Sequence, residues 1–460
     1  MSVAFDTDTA PLVDEATPKR RSLKEMLLHG SSWTMLEYGL SQILRLGSNI
    51  ALASLLGDPA IFGINLILMV FMQALDMFSD LGIGQSVIHS KRGDDPRFLD
   101  TAWTIQVIRG FAFTAAALML AWPVSVVYQN SILLYALPLA GLAGIISGFN
   151  SINLYVLNRH IRLGRIALIN VGTQAIAIAA TLAFAYYSKT VWALIAGALF
   201  SSLVKLVASH LLCPGPRSRF AWDKSATKEL FHFGKWIFFS TLFGFLASRG
   251  DQLLLGWYMP AEMFGTYGFA VLLAQAVAQG MHQISQRVLF PIYARVATED
   301  PDRLRIQTFR VRAVLMALSV PPVCILAIWG QEVVDLIYPE KFKNAGWMLQ
   351  ILAAGGVVSV IGSTIGPVLL AKGDSYRFMI LQVVRTAIMC VTMALGGYFG
   401  GRTGHPNGAM IGVVVGVALP ELLLYPVLVW AVRRYGVWLP KLDFAGFALA
   451  GLAITAGLLL

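Results

Sequence analysis

Residues Phe243 to Met259 read FGFLASRGDQLLLGWYM. Most of the stretch is what a lipid bilayer accepts, yet Arg249 and Asp251 sit in its middle. It belongs to a chain of 460 residues that is 57% hydrophobic and only 13% charged, with mean hydropathy +0.68. Soluble domains carry roughly a quarter charged residues. A chain this apolar cannot hide its surface in one soluble core. The sequence therefore reads as an all-α integral membrane protein. Ionisable residues inside its spans are costly there and tend to face protein or water.

A spanning helix needs about 20 apolar residues. Runs of that kind lie at 33–56, 60–88, 102–127, 131–157, 166–187, 190–213, 230–256, 261–290, 309–329, 345–371, 377–399, 407–432 and 443–460. These are thirteen expected spans, within a range of about 12–14. The longer ones must tilt or protrude. With the N-terminus inside, 24 Lys and Arg fall on the inner side, four on the outer side and seven within spans. That bias predicts a cytoplasmic N-terminus. Residues 1–29 lack an apolar leader and read as a disordered cytoplasmic tail. Leu460 falls inside an apolar run, so the last span is expected to be incomplete or bounded differently.

The chain repeats itself. GSSWTMLEYGLSQILRLGSNIALASLLGDPAIFG (Gly30 to Gly63) has a counterpart in FGKWIFFSTLFGFLASRGDQLLLGWYMPAEMFG (Phe233 to Gly265). Each has a Trp near its start, a polar break, a Pro-Ala turn and then Phe-Gly. An offset of about 202 residues places Asn49 opposite Asp251 and Gly63 opposite Gly265. Six spans separate the copies, so both run in the same direction, as in transporters built from parallel repeats. The expected organisation is a first lobe at 30–213, an inner linker at 214–229, a second lobe at 230–434 and an extra span within 435–460.

Three stretches carry a family resemblance. They are MFSDLGIGQSVI (77–88), GDQLLLGWYMPAEMFGTYGFA (250–270) and FPIYARV (290–296). With their order and spacing, over about residues 25–435, the chain resembles the oligosaccharide-lipid flippases of bacteria. These form the polysaccharide-export branch of a superfamily that also holds multidrug antiporters and the lipid II flippase. The resemblance implies two six-helix lobes around a central cavity. It also implies that a polyprenyl-diphosphate-linked oligosaccharide is moved across the bacterial inner membrane for export of surface polysaccharide. No cofactor is implied. The expected partners are the lipid-linked substrate, membrane lipids and a polysaccharide polymerase or export machinery. Twelve or fourteen spans are usual in the family, so thirteen is a departure.

The charges within spans are the functional clue. Lys205, Lys235, Arg287 and Glu37 lie near inner ends, where a long side chain reaches water. Arg45 lies about 18 Å along its helix. By the repeat, Arg45 and Arg249 occupy nearly equal depths in the two lobes. Two arginines at one cavity suit a diphosphate, because each guanidinium offers a fork of donors and stays ionised. Arg385 and Arg109 are further cavity candidates. The competing reading pairs the arginines with Asp76, Glu421 or Asp251. Asp251 is two residues beyond Arg249, points away from it and is expected to meet another helix. Asp76 and Asp80 share a face one turn apart. These three acids are candidates for coupling a proton or cation, with packing or capping as the alternative for Asp76 and Asp80.

Other signals point nowhere. GIGQSV (82–87) lacks the preceding strand and final glycine of a nucleotide loop. No Walker loop, metal-ligand spacing or nucleophile triad is present, and Cys213, Cys324 and Cys390 are far apart. The net charge of +10 is spread over loops, which argues against nucleic acid. Connections of at most about twenty residues leave no room for a catalytic domain. The chain therefore reads as a flippase and not an enzyme. A cation-coupled multidrug antiporter is the alternative, and an embedded polysaccharide-synthesis enzyme a third reading. Cavity charge separates the first two: arginines favour a diphosphate, a lone carboxylate an organic cation.

Overall fold

The computed structural model describes residues 23–459 except 81, 161, 217, 297–300, 366–368, 370–373, 406 and 436–437. The side chains of 23–32, 34, 89, 229, 231–244, 247, 281–296, 301–308, 375, 453 and 456–459 are also outside the description. Lys235 and Arg287 thus lie outside the described side chains.

The described secondary structure is helical. The first half holds α1 (Leu23–Leu56), α2 (Pro59–Ser79), α3 (Ile83–His89), α4 (Pro96–Val127), α5 (Ile132–Gly148), α6 (Asn153–Arg159), α7 (Leu163–Tyr187) and α8 (Val191–Leu212). The second holds α9 (Lys224–Tyr258), α10 (Ala261–Val296), α11 (Pro301–Ile337), α12 (Asn344–Ser363), α13 (Ser375–Gly401), α14 (Gly408–Val432) and α15 (Pro440–Leu459). Among the described residues nine helices are long and apolar enough to cross a membrane, or ten if α5 and α6 form one bent span. The protein is a multi-pass membrane protein. Helices α1 and α9, which carry Arg45 and Arg249, are not among those nine. Their polar residues lower the apolarity that a lipid-facing span needs.

Two expected spans are broken. The run 60–88 divides at Asp80–Gly82, where Gly82 takes φ +63° and Asp80 Oδ1 accepts from the Gly82 N–H at 2.9 Å. The run 131–157 divides between α5 and α6, which meet at 63°. Both breaks fall at short polar stretches, Ser79–Asp80 and Asn150–Ser151, that lie partly or fully buried against protein, where irregular backbone can be satisfied. The side-chain amide of Gln106 on α4 donates to the carbonyls of Gly148 (2.9 Å) and Asn150 (3.0 Å), satisfying the second break.

The repeat seen in the sequence reappears as packing. In the first half α1 packs on α7, α4 on α5, α5 on α8 and α7 on α8. In the second, α9 packs on α13, α11 on α12, α12 on α14 and α13 on α14, which is the same scheme. The halves meet chiefly where α2 crosses α10. Beside that crossing Phe62, Phe269, Tyr338 and Phe342 pack edge to face; Phe62 and Phe269 are 4.9 Å apart. This apolar plug sits at the end of the molecule that carries the α1–α2 and α9–α10 turns. The first turn is built from Gly57 at φ +63°, an Asp58 cap on the Ala60 N–H at 2.9 Å, and Pro59 opening α2.

Small residues set two further contacts. The stripe Gly408, Gly412 and Gly416 on α14 meets Gly400, Gly396 and Thr392 on α13. A Cβ on Gly412 would lie 1.9 Å from the Gly396 carbonyl oxygen, so the close approach needs glycine. The prolines Pro138, Pro420 and Pro426 lie inside α5 and α14, and Pro321 and Pro322 inside α11, which is kinked at Trp329.

One buried charge was missed by hydropathy. Arg312, counted among the inner-side cations although it falls at the start of the expected span 309–329, is fully buried inside α11. Its guanidinium donates to Asp443 Oδ1 of α15 (2.5 Å) and to Thr364 Oγ1 after α12 (3.0 Å). Tyr425 of α14 donates to the other Asp443 oxygen at 2.9 Å. The thirteenth long helix is thereby tied into the second half. Nothing near Arg312 in the sequence announces this, since Asp443 is 131 residues away.

Candidate functional site

The α2–α10 crossing leaves a cavity of about 990 Å³ between the halves, lined by α1, α2, α4, α5, α7, α8, α9 and α10. Arg45 and Arg249 both line it. Arg45 lies eleven residues before the end of α1 and Arg249 nine before the end of α9. At 1.5 Å per residue they sit about 16 and 14 Å from those ends. The matching depths follow from the repeat.

Each arginine reaches across to the other half. Arg45 of α1 donates to Gln279 of α10 at 3.3 Å, and also to Gln42 one turn back. Arg249 of α9 donates through Nε to Gln73 of α2 at 2.9 Å. Both partners are neutral amides. Neither arginine has a carboxylate partner among the described residues. The stripe Tyr38, Gln42, Arg45 recurs every three to four residues on one face of α1. It leaves the Tyr38 hydroxyl, Gln42 Nε2 and Arg45 Nε buried without a partner.

Asp251, two residues beyond Arg249, is placed apart from the cavity. It is 7% exposed, lines neither described cavity, and accepts a hydrogen bond from the Tyr267 hydroxyl of α10 at 2.7 Å. It meets a neighbouring helix and not Arg249.

The other candidates are placed elsewhere. Arg385 of α13 is ion-paired with Glu421 of α14 and does not line the cavity. Arg109 pairs with Asp76 at 2.5 Å and donates to Ser79 Oγ at 3.0 Å. Arg109, Asp76 and Asp80 line a second cavity, of about 650 Å³, inside the first half. Lys205 of α8, read on the sequence as reaching toward water, lines both cavities, as do Asn170 and Phe113. The packing of α8 on α5 and α7 places it at that junction. Glu37 also lines the first cavity and accepts from Asn170 at 2.8 Å. Charged side chains on the first wall are thus Arg45, Lys205 and Arg249 against Glu37 alone. Among the described residues no cluster of His, Cys, Asp and Glu is arranged to hold a metal.

Two like halves around a polar, cationic cavity in a bundle of membrane helices define a membrane transporter. The comparisons narrow the class. Residues 51–346 match the model of the polysaccharide biosynthesis protein family, and the chain belongs to that family. It is 23% identical over 426 residues to the lipopolysaccharide biosynthesis protein WzxC of Escherichia coli, covering 91% of this chain and 85% of that one. It is 22% identical over 307 residues to the teichuronic acid biosynthesis protein TuaB of Bacillus subtilis, covering 64% and 61%. In fold it is similar to the lipid II flippase MurJ in an inward closed conformation, with TM-score 0.68 at 12% identity and 92% of each chain covered. It is also similar to an inward-facing multidrug resistance MATE transporter, with TM-score 0.61 at 13% identity and coverage of 89% and 98%.

Proposed function

We propose that the protein is a flippase that moves polyprenyl-diphosphate-linked oligosaccharide units from the inner to the outer leaflet of the bacterial inner membrane. The observation that carries this reading is the first cavity, where three cations face one carboxylate and, among the described residues, both arginines are held by neutral amides and by no carboxylate. A phosphate offers each guanidinium an opposite charge and paired oxygens that match its fork of donors, neither of which a neutral amide oxygen supplies. The names of the relatives, which concern lipopolysaccharide and teichuronic acid synthesis, and the fold shared with a lipid II flippase point the same way.

A cation-coupled drug antiporter fits the cavity poorly. Like charges about 4 Å apart repel by roughly 4 kcal/mol at an effective dielectric of 20. The buried acid Asp251 is not on the wall to offset that. Catalysis is disfavoured by the short connections, which leave no room for a catalytic domain. The 24 to four bias of Lys and Arg supports an N-terminus in the cytoplasm. The aromatic plug then lies at the outer end, and units released there would meet polymerising and exporting machinery.

The test uses purified protein in liposomes with undecaprenyl diphosphate carrying a fluorescent oligosaccharide on the inner leaflet. The sugar should appear outside, unaltered and without nucleotide. Drug-cation exchange in its place, or a cleaved or extended product, would refute the reading.

A further inference from the structure

The second cavity is not explained by a site for the diphosphate. It shares Phe113, Asn170 and Lys205 with the first, so the two are contiguous at that wall. Its charges differ. Asp76 and Asp80 balance Arg109 and Lys205, whereas the first cavity has an excess of two cations. Asp76 and Arg109 are moreover bound to each other at 2.5 Å, which leaves little free charge for an ion. The remaining polar wall is made of neutral donors and acceptors, among them Gln85, Ser147, Asn150 and Asn158.

Two residues of that wall, Gln106 and Asn150, each carry a buried side-chain oxygen that has no donor among the described residues. Gln106 spends both amide hydrogens on the carbonyls of Gly148 and Asn150, which fixes its orientation and leaves Oε1 without a partner. Asn150 Oδ1 is likewise buried without a donor. A buried acceptor left unpaired costs about 1–3 kcal/mol. A ligand rich in hydroxyl groups supplies donors; a phosphate does not.

Resting on the flippase reading, we infer that the second cavity is a subsite for the sugar next to the diphosphate. The first cavity holds the phosphates, Lys205 stands at the junction, and a neutral, polyhydroxylated ring enters the space beside the α5–α6 break. The division assigns anion affinity to one cavity and saccharide selectivity to the other.

The test measures binding of two kinds of probe to the full-length protein in detergent. One is undecaprenyl diphosphate without sugar; the other is the same lipid carrying glucose, galactose or N-acetylglucosamine. Gln85 and Asn158 are exposed on the cavity wall and make no described side-chain hydrogen bond, so Gln85→Ala with Asn158→Ala leaves the fold intact. At least one sugar should tighten binding to the wild type, and the double variant should lose about tenfold of that gain, the worth of one or two hydrogen bonds. Its affinity for the sugar-free lipid should stay unchanged. If no sugar tightens binding, or the gain survives in the double variant, the subsite is refuted while diphosphate recognition stands. If the wild type fails to bind even the sugar-free lipid, the flippase reading falls, and the subsite with it.

Discussion

Gly63 of α2 and Gly265 of α10 face each other across the crossing of their helices. A Cβ on Gly63 would lie 1.9 Å from the carbonyl oxygen of Ala261, and a Cβ on Gly265 would lie 1.9 Å from that of Pro59. The offset of 202 that relates Gly63 to Gly265 also relates Pro59 to Ala261. The contact is therefore reciprocal, as when a pseudo-twofold axis passes between two equivalent residues. Any side chain here pushes the halves apart. Gly63→Val or Gly265→Val should lower the melting temperature in detergent, because overpacking a rigid backbone contact costs about 1–3 kcal/mol or more. Gly172, where a Cβ meets nothing within 4 Å, is the control. Gly172→Ala should be neutral or stabilising by up to about 1 kcal/mol. Equal melting of Gly63→Val and wild type would remove the crossing as a structural constraint.

Arg312 and the cavity arginines should behave in opposite ways. Arg312 is sealed among Asp443, Thr364 and their neighbours, so Arg312→Ala leaves Asp443 buried and uncompensated at about 3–5 kcal/mol. Folded protein in the membrane should fall. Arg312→Met with Asp443→Leu removes both charges and should restore it. Arg45→Ala and Arg249→Ala strand no carboxylate, so protein levels should hold while export of polysaccharide stops. Membrane-protein level and export, measured side by side, separate the two classes. A level that stays low in the Arg312 and Asp443 double variant would refute the buried-pair account.

Residue patterns carried much of this in advance. The Pro-Ala turn and Phe-Gly pair revealed the repeat, and the repeat placed Arg45 and Arg249 at one depth. The breaks after α2 and α5 are masked in the sequence because apolar runs resume directly beyond short polar stretches, Ser79–Asp80 before Gly82 and Asn150–Ser151. Arg312 was misjudged for a related reason. Depth from a helix end was used as a guide to exposure, whereas exposure here is decided by which helix packs alongside. The second cavity depends on α4, α5, α7 and α8 together, and no local motif encodes that meeting.

The strap between the halves is expected to resist mild acid. The segment before α9 lies along α4: the Arg219 N–H donates to Asp100 at 2.9 Å and the Asp223 N–H to Thr101 at 3.1 Å. Asp223 also caps α9 through the Ser225 N–H at 2.8 Å and takes Arg92 at 2.9 Å. The Arg92 guanidinium, and then Ser225, hold the Asp223 carboxyl well below the usual carboxylate range. A depressed carboxyl contributes stability that is complete above its unfolded value of about 4 and is lost as pH falls through the folded one. Amide exchange at Asp223 and Ser225, corrected for intrinsic rate, should be flat from pH 8 to 5. Asp223→Ala, which removes the cap, should expose the Ser225 amide at every pH. Protection lost between pH 7 and 5 in the wild type would contradict the Arg92 assignment.

The last prediction concerns the glutamines that hold the arginines. Gln73 accepts from Arg249 and Gln279 from Arg45, each across the two halves. A neutral acceptor orients a guanidinium without neutralising it, so the charge remains available to a phosphate. Gln73→Glu and Gln279→Glu keep the side-chain shape and add a carboxylate at the same atoms. Each creates an internal ion pair that competes with the ligand and cancels part of the cavity's cationic excess. Binding of undecaprenyl diphosphate should weaken at least about tenfold, or 1.4 kcal/mol, in either variant. Gln73→Ala frees Arg249 and should bind as the wild type does or more tightly. Raising ionic strength should reduce these differences little, since the groups are partly buried and weakly screened. Should Gln73→Glu bind the diphosphate as tightly as Gln73→Ala, the arginines would not be its ligands, and their depth-matched placement would reflect only the pairing of the two halves.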